Sequence, residues 1–442
     1  MQKSVRTPKA GFFQLTPFLI FVSAFLLLVK IFPQVDLSKT DDFPLLACMI
    51  AIIWALFTFK QKISFNKKIE TFVSGAAQPT IMYMCFIFIA SSIFSNFLGM
   101  MNGVNSAIAI SFNLIPASFL LPGLFITASI FSLIIGSSMG CITVFMPVAM
   151  GFASQLGINP AMLAGIIVGG AMLGDNLSVI SDTTIAATQT TGCKMSDKFK
   201  ANGFLVLPAF IATIIVLAVI NHNLGGSITV PTQIINTKTF IALIPYGLVL
   251  TLALLGIDVL AVLVSGSLAA GAIGILNGSF STVTAITSIF DGFYAEKKMV
   301  AVLVLVLLIA GLAKMIEANG GIKYLLKKFS TKIKNAAHAE AAIAFLVFLI
   351  NSVIAINTIA ILVTGPIAKK IGDSAKIPAK RVASILDIFA CVCQGIMPYA
   401  PQLLLAGALA KISSISIMPY LHYQFFIFIV AVASIVKTRF RK

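Results

Sequence analysis

Two aspartates, Asp175 and Asp182, stand seven residues apart in the run Gly174-Asp-Asn-Leu-Ser-Val-Ile-Ser-Asp-Thr-Thr184, with apolar sequence on both sides. Even in an unbroken helix that spacing would set both carboxylates on one face. Asn176, Ser178, Ser181, Thr183 and Thr184 crowd further oxygens around them. A charge held in hydrocarbon costs roughly 2.5 kcal/mol or more, so acids at that depth mark a functional site by default. Paired carboxylates among neutral oxygens suit a small hard cation, such as Na+ at Asp182 and Asp175, or a proton. Two acids in a low-dielectric cavity do not both ionise readily, so a proton competes with the cation. Helix ends freed by a break would aim their dipoles at the same place. The competing reading is structural, with the acids capping broken helix ends and the hydroxyls bonding their own backbone.

Helices must hold such a site. The 442-residue chain is 59% hydrophobic and 10% charged, with a mean hydropathy of +1.04, which is the composition of a polytopic membrane protein. Its net charge of +17 lies in short Lys and Arg clusters between apolar spans. These form no continuous basic face, which excludes nucleic acid as a partner and fits cytoplasmic loops beside a bilayer. Six cysteines without paired extracellular spacing exclude a disulfide framework, and Cys391-Val-Cys393 lacks the second pair or nearby His of a metal site. Lys3, Arg6 and Lys9 before the apolar run Leu15 to Ile31 imitate a signal peptide. No small-residue cleavage site follows, so the run reads as the first transmembrane helix.

Runs able to span, at ~20 residues per crossing, lie near 13–32, 45–59, 76–98, 203–220, 239–255, 258–276, 299–318 and 418–436. Two further regions, 123–190 and 339–414, are apolar but interrupted, and they share a plan. Each opens with a span broken near its centre, at Gly136 to Gly140 with Ser137 and Ser138, and at Asn351 to Thr358 with Asn357. Limbs of ~12 to 15 residues would reach about 20 Å of a ~30 Å core, which predicts a hairpin dipping in from one side. Each region continues through a proline, Pro160 or Pro378, into a helix broken again, at 174–184 or 394–402.

Charge gives an independent check. The basic loops at 60–70, 194–200, 323–334 and 369–381 and the basic C-terminal tail all fall on the cytoplasmic side only if neither interrupted span is a single crossing. The fold expected is therefore an all-α polytopic membrane protein of about ten transmembrane helices plus two re-entrant hairpins in two inverted repeats. Residues 1–225 hold hairpin 123–156 and broken helix 161–190, and residues 226–442 hold hairpin 339–371 and broken helix 382–414. The protein is expected to be multi-pass in the cell membrane, with both termini cytoplasmic. Asp387, two turns into a span, either lines an inner vestibule or reaches Arg381 or Lys380 at the interface.

The Gly174 to Thr184 segment resembles the signature of the NhaC-type sodium/proton antiporters, a family within a wider ion-transporter superfamily of inverted repeats with paired hairpins. Gly174-Asp175, Ser178, Ser181-Asp182-Thr183-Thr184 and Ala186-Ala187 carry the resemblance, and the turn at Gly136 to Gly140 is similar to the family's glycine and hydroxyl turn. The chain departs at Val179, where proline is usual, at Asn176, where a basic residue is common, and at Met139, where an aromatic is usual. The resemblance covers residues 123–200, and more weakly Gly395 to Tyr399. It implies a secondary active transporter exchanging Na+ for H+ at a midplane site built on Asp175 and Asp182, with no cofactor and with Na+ and H+ as coupling ions. Superfamily members also carry dicarboxylates, lactate with malate, or amino-acid-like anions. Coupled transport of a small organic anion therefore stays open, with Asn351, Asn357 and Thr358 placed to meet it, as does a homodimer. An enzyme is not expected. An intramembrane aspartyl protease needs Gly-x-Gly-Asp and Tyr-Asp, whereas Met172 stands at the first glycine and no Tyr-Asp pair occurs.

Overall fold

The apolar runs of the first half become α1 (Thr16–Ile31), α2 (Asp42–Thr58), α3 (Phe65–Ala76), α4 (Pro79–Met100) and α5 (Gly103–Leu114). Then comes a helical hairpin, α6 (Leu120–Ile135) and α7 (Ser138–Leu156). Its turn is Gly136, at φ +66°, followed by Ser137, whose side chain caps α7 by accepting from the Gly140 amide at 3.1 Å. A second left-handed glycine, Gly157, ends α7. Asn159 then accepts from the Ala161 amide, and Pro160 opens α8 (Pro160–Leu177). After a four-residue break come α9 (Asp182–Thr191) and α10 (Met195–Leu224).

In this computed structural model, which describes residues 11–31, 42–59, 63–114, 116–224, 237–294, 297–329 and 335–440, the second half runs through a matching order. Its helices are α11 (Thr237–Leu254), α12 (Val259–Leu276), α13 (Thr282–Tyr294), α14 (Lys297–Ala318), α15 (Gly321–Phe329), the hairpin α16 (Ala336–Ile354) and α17 (Asn357–Ser374), then α18 (Ala379–Ile396), α19 (Pro401–Ala410), α20 (Ser414–Ile417) and α21 (His422–Phe440). The left-handed residues keep register: Ala355 comes 219 residues after Gly136, Lys376 219 after Gly157, and Lys411 219 after Gly192. The prolines inside α7 and α17, Pro147 and Pro366, are also 219 apart. Lys3, Arg6, Lys9 and the parts of the basic loops at 60–62 and 330–334 lie outside the described residues.

The chain is an all-α polytopic membrane protein, with no strand among the described residues. Among those residues eight helical stretches are long and apolar enough to cross a membrane, or nine if the pair through α20 and α21, bent by 58°, counts as one. Three of the expected crossings, α1, α2 and α11, are shorter apolar helices. The hairpin limbs differ from expectation. They run to 16, 19, 19 and 18 residues, and at 1.5 Å per residue reach about 24 to 29 Å. Each break consumes only two residues, and Ser138, Asn351 and Asn357 sit within helices rather than in a wide unwound segment. Limb length thus does not bar a full crossing. What holds is the antiparallel return: α6 packs on α7 and α16 on α17, and a hairpin of any depth leaves the parity of crossings unchanged.

Two sets of helices pack closely within themselves and meet where α5 lies against α7 and α14 against α19. In one, α14 lies against α2, α3 and α4, α12 against α4, and α11 against α5. In the other, α8 lies against α6 and α7, α9 against α17 and α18, and α10 against α18 and α21. The two broken helices are the most buried spans, 83% for Pro160–Thr191 and 94% for Ala379–Ala410, against 28% for α10. Irregular backbone at that depth is tolerated where it is held in protein or lines a cavity, and Ile180 of the first break lines one.

Candidate functional site

α8 stops where a side chain offers its backbone another partner. Ser178 turns extended, and its Oγ accepts from the Ile180 amide at 3.3 Å, a local turn that competes with the helix. Asp175 is left in the last turn of α8 and Asp182 at the first position of α9. Asp175 is buried, with Oδ1 accepting from Ser181 Oγ at 2.7 Å and Oδ2 from Ser138 Oγ at 3.4 Å. Thr183 continues the chain of hydroxyls, 2.9 Å from Ser181 Oγ. Asp182 is exposed to the neighbouring cavity, and its Oδ2 accepts from Thr358 Oγ1 at 2.5 Å. Each hairpin thus delivers one hydroxyl to one acid: the first brings Ser138 to Asp175, the second Thr358 to Asp182.

Ser138, Asp175, Asp182, Thr183 and Thr358 line a cavity of about 540 Å³. Its wall also holds Asp258, missed in the sequence because it stands at the very start of a span, where an acid reads as a helix cap. Asp258 caps α12 by accepting from the Leu260 amide at 2.9 Å, and Tyr83 donates its hydroxyl to Oδ2 at 2.5 Å. Among the described residues the lining carries three carboxylates, Asp175, Asp182 and Asp258, and no Lys, Arg or His. A low-dielectric pocket of one sign concentrates counter-ions, here cations.

Two neutral residues were also missed. The Asn357 amide donates to Gln394 Oε1 at 2.7 Å, Gln394 Nε2 to Gln402 Oε1 at 2.7 Å, and Gln402 Nε2 to Ser138 Oγ at 3.2 Å. This line joins the second hairpin to the first beside Asp175. Asn351 supports it, donating to Asn357 Oδ1 at 2.9 Å and to the Ala390 carbonyl at 2.8 Å. The signal was available as spacing, since Gln394 stands 219 residues after Asp175 and Gln402 219 after Thr183.

Ser137 also lines the cavity, with its Oγ engaged as the cap of α7. Other candidate residues point elsewhere, and Asn176 donates to Tyr423 Oη at 2.9 Å. Thr184 donates to the Ser178 carbonyl at 2.7 Å, bracing the break. Asp387 neither lines an inner vestibule nor reaches the interface. It is fully buried and pairs at 2.8 Å with Lys198, which is also buried, while Arg381 pairs with Glu340. Lys198, read from the sequence as one of three loop lysines, lies inside α10, where a buried charge requires a buried partner.

Two helical hairpins meeting two broken helices at an acidic cavity define a membrane transporter. The chain belongs to the Na+/H+ antiporter family, whose sequence model matches residues 12–225 and 228–438. It is 26% identical to the Na+/H+ antiporter NhaC of Alkalihalophilus pseudofirmus, over 66% of this chain and 68% of that protein. It is 24% identical to the Na+/H+ antiporter NhaC of Bacillus subtilis, over 87% of this chain and 88% of that one. Similarity extends to the malate-2H+/Na+-lactate antiporter of Bacillus subtilis, 21% identical over 82% of this chain and 77% of that protein.

Proposed function

We propose that the chain exchanges Na+ for H+ across the cell membrane at Asp175 and Asp182. The observation that carries this reading is the cavity wall, three carboxylates and no basic side chain. Asp175 supplies the charge for the cation, with Ser138 and Asp182 beside it and the carbonyls freed at the α8–α9 break as further oxygens. Protonation of the acids removes the charge that holds Na+, so the two ligands exclude each other and the site runs as an exchanger. Proteoliposomes holding a pH dye test it: external Na+ should make the interior alkaline, with no organic acid present. A proton flux that stays silent with Na+ and starts only when malate or lactate is added would replace this reading by coupled anion transport. An anion would meet amide and hydroxyl donors at Gln402 and Thr358 but no cationic side chain.

The neutral oxygens tune affinity. Ser138→Ala is expected to raise the Na+ concentration for half-maximal exchange about fivefold, the value of a hydrogen bond worth about 1 kcal/mol, with maximal rate within a factor of about two. An equal fall in rate with unchanged Na+ dependence would place Ser138 outside the ion's shell.

We infer further that residues 1–225 and 226–442 are inverted repeats, with both termini cytoplasmic. The 219-residue register supports this. So does the placement of basic residues from Lys369 to Arg381, which follow a hairpin that returns to its side of origin. Lys376, exposed at the end of α17, is the sharpest test. In a background lacking native cysteines, Lys376→Cys should resist an impermeant maleimide in intact cells and react once they are opened. Labelling from outside would overturn the orientation and the repeat together.

A further inference from the structure

Lys198 has an unusual set of partners. Its Nζ lies 2.8 Å from Asp387 Oδ2, 3.2 Å from the Asn176 carbonyl oxygen and 2.5 Å from Thr184 Oγ1. These three acceptors use all three N–H bonds of the ammonium. They are a carboxylate, a carbonyl in the last turn of α8 and a hydroxyl in the first turn of α9, and both lysine and aspartate are 1% exposed or less. Asn202 Nδ2 braces the same atoms, donating to the Asn176 carbonyl at 2.8 Å and to Asp387 Oδ2 at 2.7 Å. Two more buried oxygens of these residues, Asn176 Oδ1 and Asn202 Oδ1, have no partner among the described residues.

A carboxylate, a helix-end carbonyl and a hydroxyl at a broken helix are the donors with which transporters hold alkali cations. We propose that this is a second monovalent-cation site, permanently filled by the chain's own ammonium on its four-carbon stem. The tethered charge neutralises Asp387 and the carbonyl end of α8, so this position needs no ion from solution and the exchange site at Asp175 and Asp182 is left as the one that turns over. Lys198 is thus a positioning residue: it fixes the inner face of the break whose other face carries Asp175. The assignment does not depend on which ion the cavity carries.

The test empties the site and asks whether a free cation refills it. Purified Lys198→Ala, with Asp387 intact, should show a saturable rise of several degrees in unfolding midpoint when choline is replaced by NaCl, KCl or ammonium chloride at constant ionic strength. The rise should exceed that of the wild-type protein. It should vanish in the double variant Lys198→Ala/Asp387→Asn, which lacks the carboxylate but keeps the cavity site. A single variant that responds no more than the double variant, or that stays unfolded in every one of these salts, overturns the proposal. Any response shared by wild type and double variant reports the Asp175 site instead, which separates this result from that of the exchange reading.

Discussion

Asp175→Asn is expected to lower Na+-driven proton flux about 100-fold or more, with the protein still folded and inserted. The substitution keeps the shape at the end of α8 and removes the charge on which cation and proton both depend. A charge-assisted contact is worth up to about 3 kcal/mol, roughly two powers of ten. The Ser181 hydroxyl, now 2.7 Å from Oδ1, can still donate to an amide oxygen, so the local hydrogen-bond network has a neutral substitute. Asp182→Asn is expected to be as severe by a second route, because Asp182 is exposed to the cavity and takes the hydroxyl of Thr358 from the opposite hairpin. Flux from pH 6 to 9 at matched protein levels, with size-exclusion profiles for folding, decides both. Wild-type flux across that range in either variant removes that acid from the site.

What could be read in the sequence depended on whether partners were local. Asp175, Ser181, Asp182 and Thr183 meet because nine residues of chain hold them together, and a break in an apolar run was enough to single them out. Gly136 was legible because a tight left-handed turn favours glycine; its counterpart Ala355, at φ +56°, gives no such signal, and the second break was placed on nearby asparagines instead. The limbs of both hairpins are longer than expected because each turn takes only two residues and the helices extend beyond the edges of the apolar runs. Lys198 was hidden among Lys194 and Lys200, and its partner Asp387 is remote in sequence; only folding reveals that one lysine of the three turns inward. Gln394 and Gln402 escaped because neutral amides are common inside helical bundles, and only their equivalence in spacing to Asp175 and Thr183 marks them. Asp258 escaped because an acid in the short turn at the start of a span reads as an ordinary helix cap; the residue is indeed exposed, but the turn between α11 and α12 lies against the tip of the first hairpin, with Val259 beside Gly140, so its carboxylate faces the cavity.

The second large effect is expected at Gly174, which carries no chemistry. A β-carbon there would fall onto the Leu133 amide nitrogen, the Ser129 carbonyl oxygen and Ser132 Cβ, all on α6. Two of these atoms are backbone and cannot swing aside, so α6 must move away from α8. Overpacking of this kind costs about 1–3 kcal/mol. The movement also breaks the Ser132 hydroxyl's bond to the Ala171 carbonyl, at 2.6 Å, and carries the tip residue Ser138 away from Asp175. Gly174→Ala should therefore lower the unfolding midpoint and reduce exchange further than the loss of folded protein explains. Gly203→Ala in α10 is the matched control, since nothing lies within 4 Å of its would-be β-carbon, and relief of glycine's helix penalty should leave it neutral or up to about 1 kcal/mol more stable. Melting curves in detergent and flux at equal reconstituted protein measure both. Equal midpoints and equal flux for the two variants would mean that α6 and α8 do not approach to backbone contact at Gly174, and that the first hairpin's tip is not held at Asp175 by this packing.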